Sequence, residues 1–306
     1  MAQIQFGLVV PAEFRQGADL SSYLADANSA LRMVRGRFES AWVVDHLQSD
    51  GDQRLEAVAL LSYLAGQNPE LLFGHTVLCQ SFRSPGLVAK IAATLQLLTG
   101  GRFVLGLGAG GNEDEYLAYG YDYPSSATRV EQLEEYVAVI RALWSAPSVS
   151  FSGKHYRLVD ARCEPRPTPA PPLMIGAFKP RMLRLVAREA DWWNVSSTGP
   201  QGYARMAAEL ERACKAVGRD PATVRRTWVG GVACAATLAE ARAIAGARVT
   251  ADDDDYGFVG TPGNVVRQMR ALVDLGVECF MLDVVDFPDL GGLELLLRHV
   301  LPELGA

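Results

Sequence analysis

The dipeptide Asp45-His46 follows a short apolar run at 41–44 and is the most chemically suggestive pair in this 306-residue chain. An imidazole donates or accepts a proton near neutral pH, so His46 is a candidate general acid or base. Asp45 could orient a polar group of a ligand. Either residue could instead have a local role, His46 in closing a loop and Asp45 in capping the next helix. The pair therefore marks a candidate site and leaves its chemistry open.

Two glycine-containing segments also follow apolar runs. Residues 106–111, GLGAGG, would let a flat or phosphorylated ligand approach the backbone closely. They match a dinucleotide-binding fingerprint poorly, because no acidic ribose-binding residue follows in a convincing next strand. Gly176-Ala177 leads into a predicted helix whose first turn carries Lys179 and Arg181. Free amides at a helix start bind anions, and two solvated basic residues are the alternative.

The composition excludes several classes of partner. Apolar residues make up 49% of the chain and its formal net charge is −6, which argues against disorder. Basic residues are not clustered, which argues against nucleic acid, and no apolar run is long enough to cross a membrane. The five cysteines, odd in number and scattered, argue against a disulfide framework and favour a reducing, cytoplasmic location. The N-terminal apolar run predicts a first strand rather than a targeting segment.

No metal site is predicted. The acidic run at 252–255 is typical of a solvated loop, with a bound divalent cation as the minor alternative. His75 is expected in the middle of a strand and His155 in an insertion, so three histidines are not expected to meet around a zinc ion.

Eight apolar, β-branched runs alternate with helical patterns and predict parallel strands at 4–10, 41–44, 72–78, 103–108, 173–175, 192–195, 227–233 and 279–284. Eight strand–helix units predict an α/β fold, a (β/α)8 TIM barrel, with a doubly wound open sheet as the alternative. In a barrel, the residues that follow these strands share the face that carries active sites.

Two of the predicted helices have clear starts. Ser84, followed by proline, predicts the beginning of a helix that ends before Gly100. Its spacing predicts a buried stripe made of Leu87, Ile91, Leu95 and Leu98. Thr128, with a glutamate three residues later, predicts the capping box of the next helix.

Residues 146–172 interrupt the alternation. The segment SVSFSGKHYRL predicts a hairpin that turns at Ser152-Gly153, and the proline-rich EPRPTPAPP follows it. Because such an excursion in a barrel often covers the active-site face, we expect a lid.

Taken together, five segments resemble the luciferase-like flavin-dependent oxidoreductase family. They are VVDHL at 43–47, the run from TVLCQ to LAYG at 76–120, VSFSGKHYRL at 149–158, LRLVAREADWWN at 183–194 and the run from VGTPG to CFMLD at 259–283. The resemblance covers essentially the whole chain. It implies one TIM-barrel domain over 1–306 with an insertion after the fourth strand, and a homodimer.

The resemblance also implies a cofactor. Asp45-His46 resembles the branch that uses the deazaflavin coenzyme F420, whereas members that use FMN tend to have Glu-His at this strand end. F420 implies hydride transfer to or from a small organic substrate. An FMN-dependent monooxygenase is the alternative, and a flavin carrier without its own substrate is a third possibility.

Residue by residue, the resemblance implies a cofactor site and two catalytic groups. A non-prolyl cis peptide is expected between Thr76 and Val77, where it supports the central ring. Asp45 and Cys79 would contact the ring or the ribityl chain, Ala109 and Gly110 would line the tail, and Gly176, Ala177, Phe178 and Lys179 would meet the phosphate. His46 would be the proton donor, and Glu13 matches a glutamate of F420-dependent dehydrogenases.

Three departures accompany these matches. The catalytic glutamate of such dehydrogenases corresponds to Gly111, their tryptophan is missing from the 47–50 loop, and the loop at 176–181 is one residue shorter.

Overall fold

The computed structural model describes residues 3–48, 52–246, 249–250 and 256–305. Its strands are β1 Gln5–Val9, β2 Glu13–Arg15, β3 Ser40–Val43, β4 Asp52–Arg54, β5 Leu72–His75, β6 Leu78–Cys79, β7 Phe103–Gly108, β8 Val149–Ser152, β9 Arg157–Ala161, β10 Leu173–Gly176, β11 Trp192–Ser196, β12 Arg225–Cys234, β13 Phe258–Gly260 and β14 Cys279–Val284. Its α-helices are α1 Leu20–Val34, α2 Ala57–Gln67, α3 Pro85–Leu98, α4 Glu113–Ala118, α5 Ser126–Ser145, α6 Pro180–Glu189, α7 Pro200–Ala216, α8 Leu238–Ala245, α9 Pro262–Val273 and α10 Gly291–Leu295.

Eight parallel strands close into a barrel in the order β1, β3, β5, β7, β10, β11, β12, β14. The β10–β7 pairing and the β1–β14 pairing complete the ring. Each of these strands coincides with one of the eight predicted runs, so the TIM barrel is confirmed and the open sheet is wrong. The third run is interrupted after β5 and resumes as β6.

Trp42 fills the barrel below its C-terminal end. The indole lies so close to Gly7 and Gly74 that a side chain at either glycine would collide with it. Its Nε1 donates to Ser40 Oγ at 2.9 Å. Apolar residues from other strands pack around it, namely Val9, Val104, Met174, Val229, Cys279 and Met281. These close-packed side chains form a rigid base for a cavity at the C-terminal end of the barrel.

Helix α3 corrects the predicted buried stripe. Leu95 is buried, but Leu87 is 52% exposed and Leu98 is 79% exposed. The buried face is formed instead by small residues on the adjacent side of the helix, Val88, Ala89, Ala92 and Ala93. Small side chains let α3 approach the barrel closely, so they take the inner positions.

Helix starts agree with prediction in one case and not in the other. Ser84 caps α3 as predicted, since its side chain accepts from Leu87 N. The predicted capping box at Thr128 is wrong, because α5 begins one turn earlier. Ser125 is the N-cap there and accepts from Thr128 N at 3.2 Å.

No helix within the described residues is long and apolar enough to cross a membrane.

Candidate active site

A cavity of about 710 Å³ opens at the C-terminal end of the barrel. All eight barrel strands, or the loops that follow them, contribute to its wall. Ten of the predicted site residues line it: Asp45, His46, Thr76, Val77, Cys79, Ala109, Gly110, Gly176, Phe178 and Lys179. Ala177 and Glu13 do not. The structure therefore brings ten of the twelve predicted residues to one cavity, and the roles assigned to all twelve stay predictions.

His46 is held by a buried carboxylate from α4. Its Nδ1 lies 2.9 Å from Glu115 Oε2, and Leu47 N donates to the other carboxylate oxygen at 2.8 Å. The imidazole is 45% exposed to the cavity side, whereas the Glu115 side chain is 2% exposed. Burial opposes ionisation of Glu115, but the hydrogen bonds from His46, Leu47 and Gln48 outweigh it and hold the pKa of Glu115 below its ordinary value.

Sequence reasoning does not find Glu115. It is one of three acidic residues in the first turn of α4, which is a common arrangement at a helix start. Only the fold brings it to His46, 69 residues earlier in the chain.

Four tyrosines in the segment 116–123 fasten the loops around the cavity. Tyr119 Oη donates to Leu47 O at 2.9 Å, and Tyr116 Oη donates to Ser81 Oγ at the same distance. Tyr121 and Tyr123 donate to the carbonyl oxygens of Phe82 and Gly111, each at 3.0 Å. The segment thereby ties together the loops that follow the second, third and fourth barrel strands.

The Asp45 carboxylate is hydrogen-bonded to other residues of the protein. Arg83 donates to both of its oxygens, at 2.8 and 2.9 Å, and Cys79 N donates to one of them at 2.9 Å. Arg83 also pairs with Glu56 at the start of α2. A bidentate pair of this kind holds the ends of the second and third barrel strands together. The ring contact predicted for Asp45 stays a prediction.

Val77 projects into the cavity at the break between β5 and β6. The Thr76–Val77 peptide is cis, which confirms the prediction. A Cβ on Gly108 would lie 2.7 Å from Val77 Cγ2, so glycine at that position leaves room for the bulge. Thr76 Oγ1 donates to Asn194 Oδ1 at 3.2 Å. Asn194, which the sequence does not single out, thus anchors the bulge from β11.

Gly110 is required by both conformation and space. Its φ is +75°, a region that favours glycine, and a Cβ there would collide with the Tyr116 hydroxyl and lie 2.8 Å from Cys79 Sγ.

Lys179 is the cation that the loop after β10 brings to the cavity. It is the N-cap of α6, has no side-chain cap bond and makes no ion pair with a described residue. Arg181, the other predicted cation, pairs with Glu134 of α5. Ala177 is buried behind the wall, where its N–H donates to Asn194 O at 3.1 Å. Ala177 therefore links the loop after β10 to β11 and does not line the cavity.

Glu13 lies on the outer β2–β4 ribbon, where it forms an ion pair with Arg54. Its carboxylate does not line the cavity, and its predicted acid–base role stays a prediction.

The insertion does not cover this cavity. Hairpin β8–β9 lies against α5, where Glu135 accepts the backbone N–H groups of Lys154, His155 and Tyr156 at 2.7, 2.9 and 3.1 Å. No residue of 146–172 is among the described residues that line the cavity. The expectation of a lid over this site is therefore wrong.

The described residues hold no cluster of histidine, cysteine and carboxylate side chains able to bind a metal ion. The acidic run at 252–255 lies outside them.

The shape and charge of the cavity fit a flat, phosphorylated cofactor. Val77, Val44 and Val9 give an apolar surface for a ring, and the glycines at 108 and 176 leave space beside it. Lys179 and the start of α6 supply a cation and backbone amides for a phosphate.

Comparisons of sequence point in the same direction. The profile of the luciferase-like monooxygenase family matches residues 4–252. The F420-dependent glucose-6-phosphate dehydrogenase of Microbacterium testaceum is 33% identical over 171 residues, which are 54% of this chain and 51% of that protein. The F420-dependent hydroxymycolic acid dehydrogenase of Mycobacterium tuberculosis is 29% identical over 87% of this chain and 81% of that protein. The chain spans about half the length of the curated glucose-6-phosphate dehydrogenases it matches first.

Solved structures share the fold at low identity. An F420-dependent secondary alcohol dehydrogenase in complex with an F420–acetone adduct superposes with a TM-score of 0.87 at 19% identity, over 99% of both chains. The monooxygenase RslO1 from Streptomyces bottropensis gives a TM-score of 0.83 at 19% identity, over 98% of this chain and 99% of that one.

Proposed function

This chain belongs to the luciferase-like monooxygenase family, and we propose that it is an oxidoreductase that transfers hydride between coenzyme F420 and a small organic substrate. The observation that carries the proposal is the position of His46, held by Glu115 at the wall of a cavity that also presents Val77 and Lys179. The names of the F420-dependent relatives support this choice over FMN. The proposal takes residues 1–306 as one luciferase-like domain.

The coenzyme would lie across the barrel mouth. Val77 would support its ring system, Ala109 and Gly110 would border the chain that leads away from it, and Lys179 would meet its phosphate. When bound, the deazaflavin supplies a carbon that accepts or donates hydride.

The protein supplies the proton transfer. Because Nδ1 of His46 is bonded to Glu115, Nε2 is the ring nitrogen left for a substrate hydroxyl. In the oxidation of an alcohol, the hydroxyl proton would pass to Nε2, and the bound coenzyme would supply the acceptor for the hydride of the carbinol carbon. In the reverse direction the same nitrogen returns the proton to the carbonyl oxygen.

A fluorescence titration of the purified protein with F420 and, separately, with FMN tests the proposal. We expect low-micromolar or tighter binding of F420 and binding of FMN at least about tenfold weaker. Preferential FMN binding, with oxygen consumption by the reduced flavin, would replace the proposal with a monooxygenase. Binding of neither compound would overturn the cofactor site.

The same titration measures the contribution of Lys179. Lys179→Gln is expected to weaken F420 binding by about 10- to 100-fold, because a hydrogen-bonded charge on the phosphate is lost. Lys215→Gln, at an exposed position on α7, is the matched control and should leave the affinity unchanged. Equal affinities for both variants would place the phosphate elsewhere.

We further propose that the chain forms a homodimer through α3. The outer side of this helix carries three exposed leucines, Leu87, Leu97 and Leu98, with the partly buried Ile91 between them. Burying such side chains against a second copy would remove exposed apolar area from water.

Light scattering after size exclusion tests the dimer. Leu98→Glu is expected to convert the protein to a monomer, because the substitution places charge in the proposed contact. Val159→Glu replaces another exposed aliphatic side chain, on hairpin β8–β9, and should leave the mass unchanged. A monomeric wild-type protein would refute the dimer.

The cytoplasmic location stays a prediction. All five cysteines are free thiols and buried. Free thiols in this number support a reducing compartment.

A further inference from the structure

The two carboxylate oxygens of Glu115 have different hydrogen-bond partners. Oε1 accepts the backbone N–H groups of Leu47 and Gln48, at 2.8 and 3.4 Å, while Oε2 faces Nδ1 of His46 at 2.9 Å. The side chain is almost completely buried, and its low pKa keeps it ionised at neutral pH. An ionised carboxylate can only accept hydrogen bonds. The nitrogen that faces it must therefore carry the proton.

We propose that Glu115 is the positioning residue of the active site and fixes His46 in the Nδ1–H form, with the bare Nε2 directed to the substrate. The catalytic part of this inference rests on the proposed function; the tautomer itself does not. An isolated imidazole exchanges freely between its two tautomers, so a fixed acceptor at Nδ1 decides which nitrogen can take a proton.

The charged groups around the pair are consistent with this role. Arg54 lies close enough for its charge to interact with Glu115, and it also pairs with Glu13. Lys179 lines the same cavity, and the charge of Asp45 is compensated by Arg83. When Nε2 takes a proton, the imidazolium gains Glu115 as a partner of opposite charge.

The arrangement also explains how the site works with glycine at position 111. The carboxylate of Glu115, four residues later in α4, would act through His46 rather than on the substrate. A single imidazole, oriented by the buried Glu115 carboxylate, thus accepts or donates the proton.

The variant Glu115→Gln distinguishes this role from simple packing. Its amide oxygen must accept the N–H groups of Leu47 and Gln48, so its NH2 group must face His46. Because NH2 is a donor, Nδ1 must then be bare and Nε2 must carry the proton. The substitution preserves shape and inverts the tautomer.

The readout is the ¹⁵N spectrum of the imidazoles in cofactor-free protein, with the His46 signals assigned by their loss in His46→Ala. We expect neutral His46 in the Nδ1–H form in wild type and in the Nε2–H form in Glu115→Gln. Glu113→Gln, the same change at an exposed position in the first turn of α4, should retain the wild-type form. An Nε2–H form in wild type, or no change in Glu115→Gln, overturns the inference.

Turnover then tests the catalytic part. Glu115→Gln is expected to lower kcat by about 10- to 100-fold with little change in F420 affinity, and Glu113→Gln should match wild type. If the tautomer inverts and kcat is unchanged, Glu115 does not act in catalysis. If wild type does not bind F420 at all, the proposed function fails, while the spectra still decide the tautomer.

Discussion

The His46→Ala variant is expected to transfer hydride about 10²- to 10⁴-fold more slowly than wild type while binding coenzyme F420 nearly as tightly. Removal of the imidazole leaves the hydroxyl proton without an acceptor in alcohol oxidation, and the carbonyl oxygen without a donor in the reverse reaction. The loss should be large because Gly111 supplies no alternative base and the carboxylates of Asp45 and Glu115 are engaged within the protein.

Single-turnover mixing of substrate with F420-loaded protein measures this step directly, because it isolates chemistry from product release. His299→Ala is the matched control, since His299 is exposed and lies far along the chain in the C-terminal turn. We expect that control to match wild type. A His46→Ala rate within a few-fold of wild type would show that another group moves the proton.

The barrel was predictable because its strands are buried on both faces. Such strands appear as continuous apolar runs, and eight of them alternate with helical segments along the chain. The β2–β4 ribbon was not predictable, because Glu13–Arg15 and Asp52–Arg54 contain few apolar residues and pair only after the barrel brings them together. The orientation of α3 was also hidden. Two adjacent faces of that helix are apolar, and periodicity alone does not say which one meets the barrel.

Residues that line the cavity were predictable, whereas residues that bond to them from distant parts of the chain were not. His46, Lys179 and the glycine run directly follow barrel strands, so position in the fold identifies them. Glu115, Arg83 and Asn194 bond to His46, Asp45 and Thr76, respectively, across 38 to 118 positions of sequence. Their residue types are ordinary for their local settings, and only the closed barrel shows what each one holds.

His75 is a buried base that the folded protein keeps in its neutral form. It is fully buried on β5, with its ring edge-on to Phe103 at 6.1 Å, and neither ring nitrogen has a hydrogen-bond partner among the described residues. Burial lowers the pKa of His75 to about 4, despite the nearby charge of Asp45. In the unfolded chain a histidine titrates near 6.5. Between these values the unfolded state binds a proton that the folded state does not.

Folding stability should therefore fall as the pH drops from about 6.5 to 4, by about 2 kcal/mol at pH 5 and about 3 kcal/mol in total from this residue. Urea unfolding at several pH values, compared between wild type and His75→Leu, measures the effect, because the other titrating groups cancel in the difference. His75→Leu should lose less stability than wild type on acidification, whatever its stability at pH 7. His299→Leu, at an exposed position, should follow wild type. Parallel pH profiles for wild type and His75→Leu would show that the buried imidazole takes up a proton in the folded state as readily as in the unfolded chain.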